Sequence, residues 1–281
     1  MRILIASIMI ILGLSNLALA EDIVIKGLET PESVSVYEGD YYVSNIGKFG
    51  QDGDGSIRVI HNKKVSILTE GLNDPKGGWV INDKLYVADR VMVWEIDLKG
   101  KDKGKKRIYA DKFPVQPKFL NDITADAKGN LYVSDTGEFD KVDGYIFKID
   151  TNKKVSIFSD YIHCKDLADP NGLLFDKLGD LLVVDTHNGK LIGFSADGTN
   201  SVTILEGLNG GDGLAYDKAG NLYISTWGEN NSSTIHKYDT TGKLSVVQKS
   251  SKPSADITVD KERNVLVIPE FYANSVRISP L

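Results

Sequence analysis

Short runs of alternating apolar and polar residues recur along the whole chain, and Gly, Asn and Asp cluster between them. Runs of this length bounded by turn formers predict β-strands rather than helices. Six segments line up as hairpins: 32–36 with 41–45, 76–80 with 85–89, 121–125 with 131–135, 171–175 with 181–185, 212–216 with 222–226, and 255–259 with 265–269. Three of the bends share an Asp followed three residues later by Gly, at Asp126, Asp176 and Asp217. Second hairpins follow, as in 145–149 with 154–158 and 234–238 with 243–247. Four short strands recurring about every 45 residues match the blade of a β-propeller. The expected fold is all-β, a six-bladed propeller of four-stranded blades filling residues 21–281 as one domain.

The last repeat ends at Leu281 after only three strands. Its fourth is expected from the other end of the domain, because 22–28 resembles 202–208, the outer strand of repeat four. An N-terminal strand completing the last blade removes an unpaired edge. Ahead of it, Arg2 precedes an apolar run ending in Ala18, Leu19 and Ala20, the pattern of a secretory signal removed after Ala20. The expected location is therefore secreted, or periplasmic if the source is Gram-negative. The apolar run is shorter than the roughly 20 residues of a spanning helix, and no cysteine follows the cleavage point, so no membrane anchor is expected.

Composition narrows the chemistry. Lys+Arg 33 against Asp+Glu 39 gives a net charge of −6, the wrong sign for a phosphate-backbone binder. The single cysteine, Cys164, excludes a disulfide framework and a Cys-cluster metal site. Nucleic acid and structural zinc are not expected partners.

The innermost strand of a blade comes first, so its entry and the loop after the second strand share one face. The entry residues are Glu32, Lys76, Asn121, Asn171, Asp212 and Ala255. Four of these six carry oxygen donors, and the repeat brings them around one axis. Mixed carboxylate and amide oxygens suit a hard divalent cation, Ca²⁺ ahead of Mg²⁺, Mn²⁺ or Zn²⁺. The four His residues have no metal-ligand spacing. Asn and Asp before a strand also serve as turn formers, but four at one repeat phase point to the channel.

The segments around Glu32, Asn121, Asn171 and Asp212 resemble the blade-entry motifs of the SMP-30/gluconolactonase family, the regucalcin-like six-bladed propellers, and the resemblance runs through residues 21–281. It implies that Glu32, Asn171 and Asp212 bind a divalent metal, that Asn121 binds it through water or contacts substrate, and that Asp212 doubles as general base. Sugar-lactonase members often carry an Arg two residues before the substrate Asn, where this chain has Phe119. The usual Glu-Gly-Pro is also missing, since Ser33 and Val34 follow Glu32.

Other candidates surround this set. Lys76 would offset the carboxylates, orient an acidic substrate or lean out to solvent, and Phe119 and Trp227 join it as substrate-binding candidates. His187, after the second strand of repeat four, is a candidate proton relay; a plain loop histidine is the competing reading. Asn45, Asp89, Asp135 and Asp185 end second strands, where such side chains fix loops by accepting backbone N–H bonds. Phe49, Phe139, Trp227 and Phe271 would wall the mouth or pack loop against blade. Two functions follow: a metal-dependent hydrolase of a lactone or related ester with a small-molecule substrate, or a non-catalytic propeller that binds a protein or small molecule on its metal-stabilised face.

Overall fold

The computed structural model describes residues 21–138 and 141–281. The expected leader and Phe139 lie outside them. Six four-stranded antiparallel sheets form a ring. Blade 1 comprises Pro31–Tyr37, Asp40–Asn45, Gly55–His61 and Lys64–Leu72. Blade 2 comprises Pro75–Ile81, Lys84–Asp89, Met92–Asp97 and Lys106–Ala110. Blade 3 follows with Leu120–Ala125, Leu131–Asp135, Tyr145–Ile149 and Val155–Asp160. Blade 4 is Pro170–Phe175, Leu181–Asp185, Lys190–Phe194 and Ser201–Leu205. Gly211–Tyr216, Leu222–Trp227, Ser233–Tyr238 and Leu244–Ser250 make blade 5.

Blade 6 confirms the expected closure. Thr258–Asp260, Val265–Glu270 and Ser275–Pro280 are completed by Ile23–Lys26, which pairs antiparallel with the C-terminal strand. Ile25 and Leu28 bury themselves beside Val267, Val276 and Val34, sealing blade 6 onto blade 1. Each first strand contacts the first strand of the next blade all the way round. Similar apolar clusters fill the gaps between the other blades, so the core is a ring of wedges around the channel.

Local chemistry explains the bends. Asp126 Oδ1 accepts the N–H groups of Lys128 and Asn130, both at 2.9 Å, and Asp176 repeats this with Leu178 and Asp180. These are Asx turns, in which the side chain satisfies donors that the tight backbone leaves free. The carboxylates ending second strands hold the next entry loop, as their position suggests. Asp89 accepts the N–H groups of Asn73 and Asp74, Asp135 those of Lys118 and Phe119, and Asp185 those of Ala168 and Asp169. Each bond anchors the backbone just before an entry residue.

The entry residues owe their direction to a second device. In blades 1 to 5 the register between the first two strands shifts between Pro31 and Val34, Pro75 and Gly78, Leu120 and Ile123, Pro170 and Leu173, and Gly211 and Leu214. Every entry residue of those blades sits inside such a bulge. A bulge leaves residues out of the ladder and re-aims their side chains, here at the rim of the channel.

Candidate functional site

Glu32, Lys76, Asn121 and Asp212 are buried in the channel entrance, and Asn171 is half-buried beside them. Two of the amides are fixed by one repeated arrangement. Asn121 Nδ2 donates to Thr136 Oγ1 at 3.0 Å, and that hydroxyl donates to Pro170 O at 3.0 Å. Asn171 Nδ2 lies 3.3 Å from Thr186 Oγ1, which donates to Gly211 O. The Thr after each second strand therefore turns the Asn nitrogen toward the blade wall.

Asp212 is held from the other side. Its Oδ2 accepts a 2.5 Å bond from Trp227 Nε1. Burial, and then the charge of Asp256, push the Asp212 carboxyl up to about 7 against the opposing pull of Trp227 and Asn171. Glu32 is raised well above the usual carboxylate range by burial, then by Asp212 and Asp256, with Lys76 acting in the opposite sense. Burial lowers the Lys76 ammonium, and Glu32 and Asp74 partly offset this.

Two carboxylates that the sequence reading did not single out belong to this charge cluster. Asp122 and Asp256 follow the entry residues of blades 3 and 6, which are opposite in a ring of six. Asp122 Oδ1 accepts Ile123 N at 2.7 Å and Oδ2 accepts Leu173 N at 2.6 Å, so it staples blade 3 to blade 4. Asp256 Oδ2 accepts Ser33 Oγ at 2.6 Å, and its N–H donates to Glu32 O, closing blade 6 on blade 1. Burial raises both, Asp256 to about 7, and the charge of Asp256 adds to the rise at Asp122. The signal was present: both stand in the same tripeptide, Asp-Ile-Thr, in repeats three and six. Beyond them the channel opens into a cavity of about 340 Å³ lined by first strands of all six blades, and none of the entry residues lines it.

The fit to a cation rests on the oxygens left over. Glu32 Oε2, Asn121 Oδ1 and Asp212 Oδ1 are buried and have no hydrogen-bond partner. Leaving such atoms unpaired costs roughly 1–3 kcal/mol each, and more for charged groups. A hard cation would satisfy all three and offset the buried negative charge. Among the described residues no group of three or more His, Cys, Asp or Glu is arranged to hold a metal. The candidate donor set accordingly mixes two carboxylates, Glu32 and Asp212, with the amides of Asn121 and Asn171.

The remaining candidates divide. Lys76 is 1% exposed, so the structure excludes a side chain leaning into solvent. Its Nζ donates to Asp74 O and stands 4.1 Å from the centre of the Phe119 ring, a cation–π contact. Trp227 touches Asp212 directly. His187 is half exposed, with Nδ1 3.7 Å from Asp169 Oδ2; burial lifts the Asp169 carboxyl to about 6 while His187 pulls it down. Phe271 packs with Ile46, Ala255 and Trp227 as a buried cluster rather than an open wall.

A family model described as the SMP-30/Gluconolactonase/LRE-like region matches residues 60–259. Among solved structures the chain is similar to a gluconolactonase from Xanthomonas campestris at 16% identity, over 92% of this chain and 88% of that one, with a TM-score of 0.71. A putative gluconolactonase aligns at 17% identity over 93% and 92%, with a TM-score of 0.72. Regucalcin from Agrobacterium tumefaciens, a calcium-binding protein, aligns at 15% identity over 90% and 92%, with a TM-score of 0.65. At these identities the likeness establishes the shared fold. No curated protein matches by sequence.

Proposed function

Since the chain belongs to the SMP-30/gluconolactonase/LRE-like family, we propose that it is a divalent-cation-dependent hydrolase of a lactone or related ester, working in the secreted or periplasmic compartment. The observation that carries this reading is the set of unpartnered buried oxygens on Glu32, Asn121 and Asp212 within a carboxylate-rich channel. Glu32, Asn171 and Asp212 would hold the cation, Ca²⁺ by the hardness of the donors, with Asn121 completing the set or meeting the substrate. When bound, the cation supplies Lewis acidity toward the substrate carbonyl and balances developing negative charge.

The protein's own residues account for the proton. In the cation-free protein burial and the Asp256 charge push Asp212 up to about 7, the range of a general base, and a bound cation would draw it back down. Trp227 occupies Oδ2, so Oδ1 is the oxygen that would meet the cation with one lone pair and accept the proton of the attacking water with the other. The new C–O bond forms at the carbonyl carbon, the ring or ester C–O bond breaks, and the alkoxide recovers the proton from Oδ1. Asn121, its nitrogen held by Thr136, presents its carbonyl oxygen for positioning. His187, paired with Asp169 at the rim, would exchange protons with solvent rather than act on substrate.

The deciding experiment is a panel of lactones and esters assayed with wild type and Asp212→Asn, with EDTA and with added Ca²⁺. Turnover that needs the cation and falls about 10²-fold or more in the variant supports the assignment. Absence of any turnover by the cation-loaded wild type above the Asp212→Asn control overturns it and leaves a binding propeller.

A further inference from the structure

The rim residues bear on which substrate this site accepts. Two groups of aromatic rings stand at the entrance, one on blades 1 to 3 and one on blades 5 and 6. From blades 1 and 3, the ring centroids of Phe49 and Phe119 lie 5.9 Å apart, and Lys76 of blade 2 points its ammonium at both. From blades 5 and 6, Trp227 lies 5.3 Å from Phe271 and 6.0 Å from Tyr272, with Phe271 and Tyr272 4.9 Å apart. The outermost ring of each group is open to solvent: Phe49 is 55% exposed and Tyr272 62%. The second group reaches the proposed reacting carboxylate through one bond, Trp227 to Asp212.

Recognition of a polyhydroxylated ring needs donors and acceptors matched to its hydroxyls. Three cations of this rim are already engaged, while Lys48, next to Phe49, is exposed. Arg90 pairs with Asp52 and Asp74, Lys118 with Glu138 and Asp143, and Lys252 with Glu270. Lys76 lies beneath Phe119 with Asp74 O as its acceptor. The channel below is rich in buried carboxylates, which disfavours an anionic group. What the entrance offers is apolar ring surface above a polar reacting centre, the usual make-up of a site for a mainly apolar ligand.

Resting on the hydrolase reading for its chemistry, we propose that the site selects a neutral lactone or ester with an aromatic or aliphatic body. That body sits against Phe49 and Phe119 of the first group and Trp227 and Tyr272 of the second, and a sugar-acid lactone is a poor substrate.

The test compares dihydrocoumarin with D-glucono-1,5-lactone as substrates, and measures binding of chroman, a neutral non-hydrolysable analogue, by calorimetry on the Ca²⁺-loaded protein. Wild type is compared with the double variant Phe49→Ser, Tyr272→Ser. Both positions are exposed, so a thermal melt close to wild type confirms folding. The kcat/KM ratio is expected to favour dihydrocoumarin by about 10²-fold and to fall about 10-fold in the double variant, with chroman affinity falling similarly. Phe49→Leu with Tyr272→Phe is expected to restore chroman binding. If no lactone is turned over but chroman binds and the double variant loses it, the rim assignment stands and the hydrolase reading falls. Preference for the sugar lactone, or equal chroman binding by wild type and double variant, overturns the rim assignment.

Discussion

The Trp227 indole donates a 2.5 Å hydrogen bond to Asp212 Oδ2, leaving Oδ1 buried and without a partner. The two residues sit at the beginning of the first strand and the end of the second strand of blade 5. This bond therefore fixes which carboxylate oxygen faces the channel. It also counters the burial and the Asp256 charge that push the carboxyl upward.

Trp227→Phe keeps most of the ring area against Phe271 and removes the donor. A hydrogen bond to a charged group is worth about 1.5–3 kcal/mol, roughly one to two pH units of carboxyl pKa. In the hydrolase reading, the acid limb of the pH–rate profile is expected to move upward by about one unit. A profile that stays in place while kcat/KM falls would assign Trp227 to substrate contact alone.

Removing residues before Glu29 tests the closure of the ring. Ile25 and Leu28 are buried in the cluster joining blades 6 and 1, and Asp22 bonds Arg277 and Ser279. Burial of two aliphatic side chains contributes about 1.5–3 kcal/mol each, and the deletion exposes the edge of Ser275–Pro280. A large drop in melting temperature with aggregation is expected. A truncated domain that melts like residues 21–281 would rule out the arrangement.

The repeat was legible because every blade reuses the same strand and turn chemistry, so six weak signals add in phase. The entry residues Glu32, Asn121, Asn171 and Asp212 were legible for the same reason. Asp122 and Asp256 were not, since they come one position later, where an unbroken strand would turn the side chain away from its neighbour's direction. At Asp122 a bulge breaks that alternation, and Asp256 precedes the first strand of blade 6, so the shared Asp-Ile-Thr was the sequence signal that linked them. The partners of Lys76 and His187 also escaped, because Phe119, Asp74 and Asp169 reach them only through the folded ring.

Gly213 offers a steric test of the channel wall. A Cβ placed there would lie 2.4 Å from both Asp256 Oδ1 and Ile257 N, and Gly77 stands in the same relation to Asp122 Oδ1 at 2.3 Å. Two blades thus close on their neighbours only without a side chain. Gly213→Ala is expected to cost about 1–3 kcal/mol or more, the range for overpacking, measured by denaturant unfolding. A neutral effect would mean that blades 5 and 6 separate easily at the axis.

Cation binding and pH are linked through the same carboxylates. In the cation-free protein Asp212 and Asp256 titrate at about 7, above the ordinary 3.8. Between these values the folded chain holds more protons than the unfolded chain. Their contribution to stability is therefore greatest at low pH and is lost as pH rises through about 7. A cation needs the deprotonated oxygens, so its stabilising effect grows over the same window. At a concentration 100-fold above Kd it adds about 2.7 kcal/mol by mass action. The melting temperature with Ca²⁺ is expected to exceed that with EDTA by more at about pH 8 than at about pH 5. Asp212→Ala is expected to remove most of that difference, since it deletes one oxygen set and one negative charge. A calcium shift of equal size in wild type and Asp212→Ala would place the bound cation elsewhere on the protein. A shift that does not grow with pH would show that the channel carboxylates are not its ligands.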